Sequence, residues 1–148
     1  MDMAPNIEPR TGLEILDREE CFALLERCSL GRIAVVVAGR PYVFPVNFVV
    51  DDGAIVLRTD EGTKLHGARN GWVAFECDGT DDVYHTGWSV LASAIPEVVD
   101  NDPEIDRLAK LPLALWCAGP KSTWLRIRPS SLTGRRIPMH GHARSESS

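Results

Sequence analysis

Between residues 32 and 59 the chain carries three β-rich runs with almost nothing between them: RIAVVVA at 32–38, YVFPVNFVV at 42–50 and AIVLRT at 54–59. The breaks are Gly39-Arg40-Pro41 and Asp51-Asp52-Gly53, turn chemistry in which glycine tolerates positive φ and proline presets φ for a turn. Short turns of this kind between extended runs are the signature of an antiparallel meander. Pro45 has no amide to give to a strand ladder, so the second run is expected at a sheet edge, a bulge or a strand entry.

Three further extended runs follow. In GWVAFECD at 71–78, Val73, Phe75 and Cys77 alternate with Trp72, Ala74 and Glu76, and HTGWSVLASAIPEVV spans 85–99. The last, STWLRIRPSSLTGRRI, ends at 137 and puts Trp124, Arg126 and Arg128 on one face against Leu125 and Ile127 on the other. Asp17 and Glu20 form a D-x-x-E capping box that predicts a helix with an apolar stripe of Phe22, Leu24, Leu25 and Cys28, stopped near Gly31. Asp102 followed by Pro103 predicts a second helix, broken near Pro112. Six antiparallel strands with flanking helices predict a mainly β fold with some α, and a barrel hides strand edges better than an open sheet.

The 148 residues suit one domain that buries its own core. Residues 1–12 and 138–148 are polar and read as tails, leaving 13–137 as the folded body. With 21 acidic against 16 basic residues the net charge is −5, which speaks against nucleic acid as a partner. No apolar run approaches a membrane span and the start lacks the apolar centre of a signal peptide, so a cytoplasmic protein is expected. Cys21, Cys28, Cys77 and Cys117 form no C-x-x-C pair, and His66, His85, His140 and His142 show no ligand spacing, so no metal site is expected.

The stretch RTDEGTKLHGARN at 58–70 follows the third strand. It gathers the Arg58 guanidinium, the Thr59 and Thr63 hydroxyls, the Lys64 ammonium and the free amides of a helix start near Thr63, a set that suits a phosphate. Asp60 and Glu61 must then face solvent. The order Gly62-Thr63-Lys64 is not a P-loop, there is no G-x-G-x-x-G after a strand, and Ser89 lies outside any nucleophile elbow.

Taken in order, GRIAVV at 31–36, PYVFPVNF at 41–48, LRTDEGTK at 57–64, VAFECD at 73–78, GWSV at 87–90 and RIRPSSLTGRRI at 126–137 resemble the pyridoxamine 5'-phosphate oxidase-like proteins. The likeness is to their small actinobacterial and nitroimidazole-reductase-like branch. It implies a six-stranded antiparallel split β-barrel that binds FMN at the subunit interface of a homodimer. Pro45, Val46, Asn47 and Phe48 would line the isoalloxazine, Arg58, Thr59, Thr63 and Lys64 would take the phosphate and ribityl end, and Trp88 and Ser89 would come from the neighbouring strand, across the dimer. The implied activity is reduction or oxidation of a small planar substrate through the flavin. Alternatives are a deazaflavin-dependent reductase of the same fold and a non-catalytic flavin- or haem-binding protein. Leu91-Ala92-Ser93-Ala94-Ile95 stands where the family often has a basic, glycine-rich run, and no catalytic residue is assigned.

Overall fold

The computed structural model describes residues 4–60, 71–115 and 123–139. Its first helix, α1 (Arg18–Glu26), begins with the expected Asp17 cap, the Asp17 half of the box: Asp17 Oδ1 accepts the Glu20 backbone N–H at 2.8 Å. The helix stops at Arg27, before Gly31, which belongs to the next strand. Glycine is needed there for another reason, since a Cβ would sit 2.4 Å from the Phe75 ring. Helix α2 (Asp102–Leu108) starts one residue earlier than expected, because the Asn101 side chain rather than that of Asp102 accepts the Glu104 amide, at 3.1 Å. It ends at Leu108, ahead of Pro112.

Among the described residues the six expected extended runs become nine strands, and two short ones precede α1. These are β1 (Asn6–Ile7), β2 (Glu14–Leu16), β3 (Leu30–Val37), β4 (Arg40–Asn47), β5 (Val49–Asp51), β6 (Ala54–Thr59), β7 (Val73–Asp81), β8 (Thr86–Ala94), β9 (Glu97–Val99), β10 (Thr123–Ile127) and β11 (Ser131–Ile137). They form two antiparallel sheets, one in the order β1-β2-β11-β8-β7-β3-β4 and one in the order β5-β6-β10-β9. The expected six-stranded closed barrel is therefore replaced by two open sheets. Three runs leave one sheet and enter the other, at Phe48, at Ile95-Pro96 and at 128–130, so each counts as two strands.

The turns are tight. Ala38 and Gly39 (φ 52° and 75°) join β3 to β4, and Asp52 and Gly53 (φ 48° and 72°) join β5 to β6. Two successive positive φ values make the loop twist that matches a hairpin. The first turn thus falls one residue earlier than Gly39-Arg40-Pro41, and Arg40 already pairs with Val37. β4 is the last strand of its sheet, the edge position that Pro45 demanded.

The main core lies between the sheets and α1. Ile33, Val35, Phe75, Cys77, Val90, Leu125 and Ile127 meet there, with Leu25 from α1. On the far side of the smaller sheet, Leu108 of α2 packs on Val56, Val99 and Trp124. Both faces of β10 are therefore covered, which explains why all five of its residues are buried.

Candidate functional site

Phe48 fixes the place where the β4 run changes sheet. Its ring is buried edge-on against Phe75, centroids 4.8 Å apart, and its amide donates to the Ser29 carbonyl at 3.1 Å. Asn47 Nδ2 reaches the same carbonyl at 3.1 Å. Along this run Val46 and Phe48 turn inward while Pro45 is exposed, as strand alternation requires. Val46 and Phe48 can thus offer only backbone groups to a ligand outside the core.

The end of β6 lies beside this switch. Val49 of β5 pairs with Val56, and β4 touches β6 just beyond that ladder. Arg58 is half-buried, with its guanidinium carbon 4.9 Å from the centroid of the Trp124 ring, its cross-strand partner. Thr59 is buried and its hydroxyl donates to the Asp60 carbonyl at 3.4 Å. Asp60 is half-buried, a correction to the expectation that it faces solvent. Thr63, Lys64, Glu61 and His66 lie outside the described residues.

Trp88 and Ser89 sit elsewhere in the same chain. Both belong to β8, which β7 and β3 separate from β4. Three inter-strand steps of roughly 4.8 Å put them about 14 Å from Asn47. Trp88 packs partly on the core and over Gly79, where a Cβ would fall 2.6 Å from the indole Nε1. Ser89 lies directly between Asp78 and Arg135 in the register. The structure therefore brings Asn47, Phe48, Arg58 and Thr59 together and leaves Trp88 and Ser89 apart from them within one chain.

The charges around these elements are mostly satisfied. Arg32 Nη2 reaches Glu76 at 2.8 Å and Asp78 at 3.1 Å. The Arg32 guanidinium is thereby held even more firmly protonated, chiefly through its bond to Glu76. Burial, with the neighbouring Asp78, nevertheless keeps the Glu76 carboxyl above its usual range. Burial also pushes the Cys77 thiol up to about 12, with Cys28 beside it adding to the effect, so Cys77 is an inert packing group. No cluster of three or more His, Cys, Asp or Glu that could hold a metal occurs among the described residues, and His85 is exposed in the β7–β8 turn at φ 53°.

Comparison with known proteins decides the family. The model of the pyridoxamine 5'-phosphate oxidase family matches residues 17–136. The chain belongs to that family. Among its relatives, an uncharacterized protein of Mycobacterium tuberculosis is 32% identical over 137 residues, covering 87% of this chain and 90% of that protein. The FAD binding protein from Mycobacterium smegmatis is 37% identical with a TM-score of 0.72, over 83% of this chain and 96% of that one. A conserved protein of unknown function from Corynebacterium diphtheriae is 31% identical at a TM-score of 0.72, over 85% and 98%. The two antiparallel sheets are consistent with the split barrel that the resemblance implied.

Two residues at these places escaped sequence reasoning. Trp124 is expected from the sequence only to share a strand face with Arg126 and Arg128, and Arg135 enters only as part of a closing motif. Both gain their interest from cross-strand register, Trp124 opposite Arg58 and Arg135 opposite Ser89, which no local pattern encodes.

Proposed function

We propose that the chain binds a flavin nucleotide, FMN or the FMN half of FAD, and works as an oxidoreductase on a small planar substrate. The observation that carries this reading is Arg58, whose guanidinium carbon lies 4.9 Å from the centroid of the Trp124 ring at the end of β6, beside the Phe48 switch. A guanidinium is a planar donor suited to a bidentate anion such as phosphate, and an aromatic face beside it helps to position it. The family supports it, and so does the FAD-binding function of the M. smegmatis relative, which also makes FAD a real alternative to FMN.

In this reading Arg58 clamps the phosphate, with Thr59 at its side and Thr63 and Lys64, on the following stretch, completing the set. The backbone of 45–48 and the Asn47 amide run along the polar edge of the ring system, kept in place because Phe48 is anchored in the core. When bound, the isoalloxazine supplies the hydride or electron transfer, so no side-chain acid or base is required.

Trp88 and Ser89 reach the flavin from a second copy of the chain, since their own is too distant. Val36, Val43 and Leu91 are exposed on the outer face of the seven-stranded sheet, and with Ala34 and Ala74 give an apolar area for that partner to cover. Reconstitution of the purified protein with FMN or FAD, followed by desalting and a visible spectrum, tests the proposal. Retained flavin absorbance and quenched flavin fluorescence are expected, and a colourless protein after both treatments would overturn it.

A further inference from the structure

Helix α2 has seven residues, and a helix that short persists in water only through what it packs on. The face it covers follows from register. Arg58 pairs with Trp124, Trp124 with Val99 and Val56 with Arg126, and residues two apart on a strand share a side. Leu108 clusters with Val56, Val99 and Trp124, so Arg58 and Arg126 stand on the α2 side of the small sheet as well. Asp51, opposite Ala54, joins them from β5.

Three contacts fasten the helix to this face. Leu108 is fully buried in it, Arg107 donates to both carboxylate oxygens of Asp51 at 3.2 and 2.7 Å, and Glu104 accepts Arg126 at 2.9 Å. Glu104 also accepts Arg107 at 2.6 Å, which joins the two polar contacts into one chain from β5 to β10. Beneath it Trp124 is buried, and the Arg58 guanidinium carbon lies 4.9 Å from the centroid of its ring. An indole enclosed by a docked helix has few rotamers open to it. Arginine is among the side chains that lose most freedom when ordered, so a fixed ring beside it lowers the cost of holding Arg58 in one place.

We infer that α2 is the positioning element of Arg58: Leu108 and the Arg107–Asp51 contact hold Trp124, and Trp124 holds the guanidinium. Docking of α2 and binding of an anion at Arg58 then favour each other, because coupling between two sites is reciprocal. Leu108, Arg107 and Trp124 are positioning residues that act through Arg58. That the anion is a flavin phosphate rests on the reading above; the hold of α2 on Arg58 does not.

Two measurements on the full chain test this. Without flavin, NMR reads the Arg58 Nε–H, identified by its absence from R58K and displaced by the ring current of Trp124. W124L moves this resonance to the position of a solvent-exposed arginine, and L108A and R107Q are expected to move it the same way. R107Q alters only an exposed side chain, so it carries the test even where L108A does not fold. With flavin, fluorescence titration of R107Q and L108A is expected to show FMN weakened by about two- to thirtyfold, the range of a cation–π contact, and riboflavin unchanged. W124F keeps part of the affinity that W124L loses. An Arg58 resonance that stays at its wild-type position in R107Q and L108A, or equal losses for FMN and riboflavin, would overturn the inference. A resonance that follows α2 in a protein with no preference for FMN over riboflavin would leave the positioning role standing and remove the flavin-phosphate reading instead.

Discussion

Arg58 illustrates how a single residue gains meaning from its neighbours. In the sequence it is a cation before a turn that contains two acids; in the fold its guanidinium carbon lies 4.9 Å from the centroid of the Trp124 ring, a contact of about 0.5–2 kcal/mol. Replacement by alanine is expected to weaken FMN by about 1.5–3 kcal/mol while leaving riboflavin, which lacks the phosphate, nearly unchanged in fluorescence titrations. Equal losses for both ligands would remove the phosphate role. Gly31 makes a separate residue-scale test. Gly31→Ala would drive a methyl to 2.4 Å from the Phe75 ring, so a loss of about 1–3 kcal/mol is expected in denaturant unfolding. Cys77 predicts a pH response: its thiol is raised from 9.0 to about 12, so folding keeps the neutral form. Its contribution to stability is complete below pH 9.0 and declines as the pH rises from there towards about 12. Cys77→Ala should flatten that decline in alkaline unfolding curves.

At the scale of elements, runs and turns were legible because their signals are local. The Asp17 cap, the alternation of Val73, Phe75 and Cys77, and the Asp52-Gly53 turn all sit where the chain implied. The changes of sheet at Phe48, Ile95-Pro96 and 128–130 were not, because choosing a new strand partner is a tertiary event that alternation does not record. The cap of α2 slipped by one residue for a similar reason: Asn101 and Asp102 both suit a cap, and only geometry selects the oxygen that reaches Glu104. This helix seals the small sheet. Leu108→Ala is expected to cost about 2–5 kcal/mol, since Leu108 is fully buried on Val56, Val99 and Trp124. Arg107 ties α2 to β5 by a two-point contact with Asp51, at 3.2 and 2.7 Å, and Glu104 joins it to Arg126 at 2.9 Å. The bond from Arg107 holds the Asp51 carboxyl below its ordinary 3.8. That stabilisation is present above pH 3.8 and fades as the pH falls below it, so Asp51→Asn should reduce the acid sensitivity of thermal unfolding.

For the whole molecule, the site was legible only in part. The resemblance reached Asn47, Arg58 and Ser89 by position, whereas their distances, with Ser89 about 14 Å from Asn47 across three strand steps, follow from strand order. That separation makes a second copy part of the account, and light scattering at micromolar concentration is expected to give twice the 16.3 kDa chain mass. The central claim is that a flavin nucleotide is held through its phosphate, and gel filtration after incubation with FMN, FAD or riboflavin tests it most directly. The account predicts that FMN or FAD elutes with the dimer at one flavin per chain while riboflavin is lost. Protein that elutes without flavin in all three runs, or that retains riboflavin as well as FMN, would contradict it.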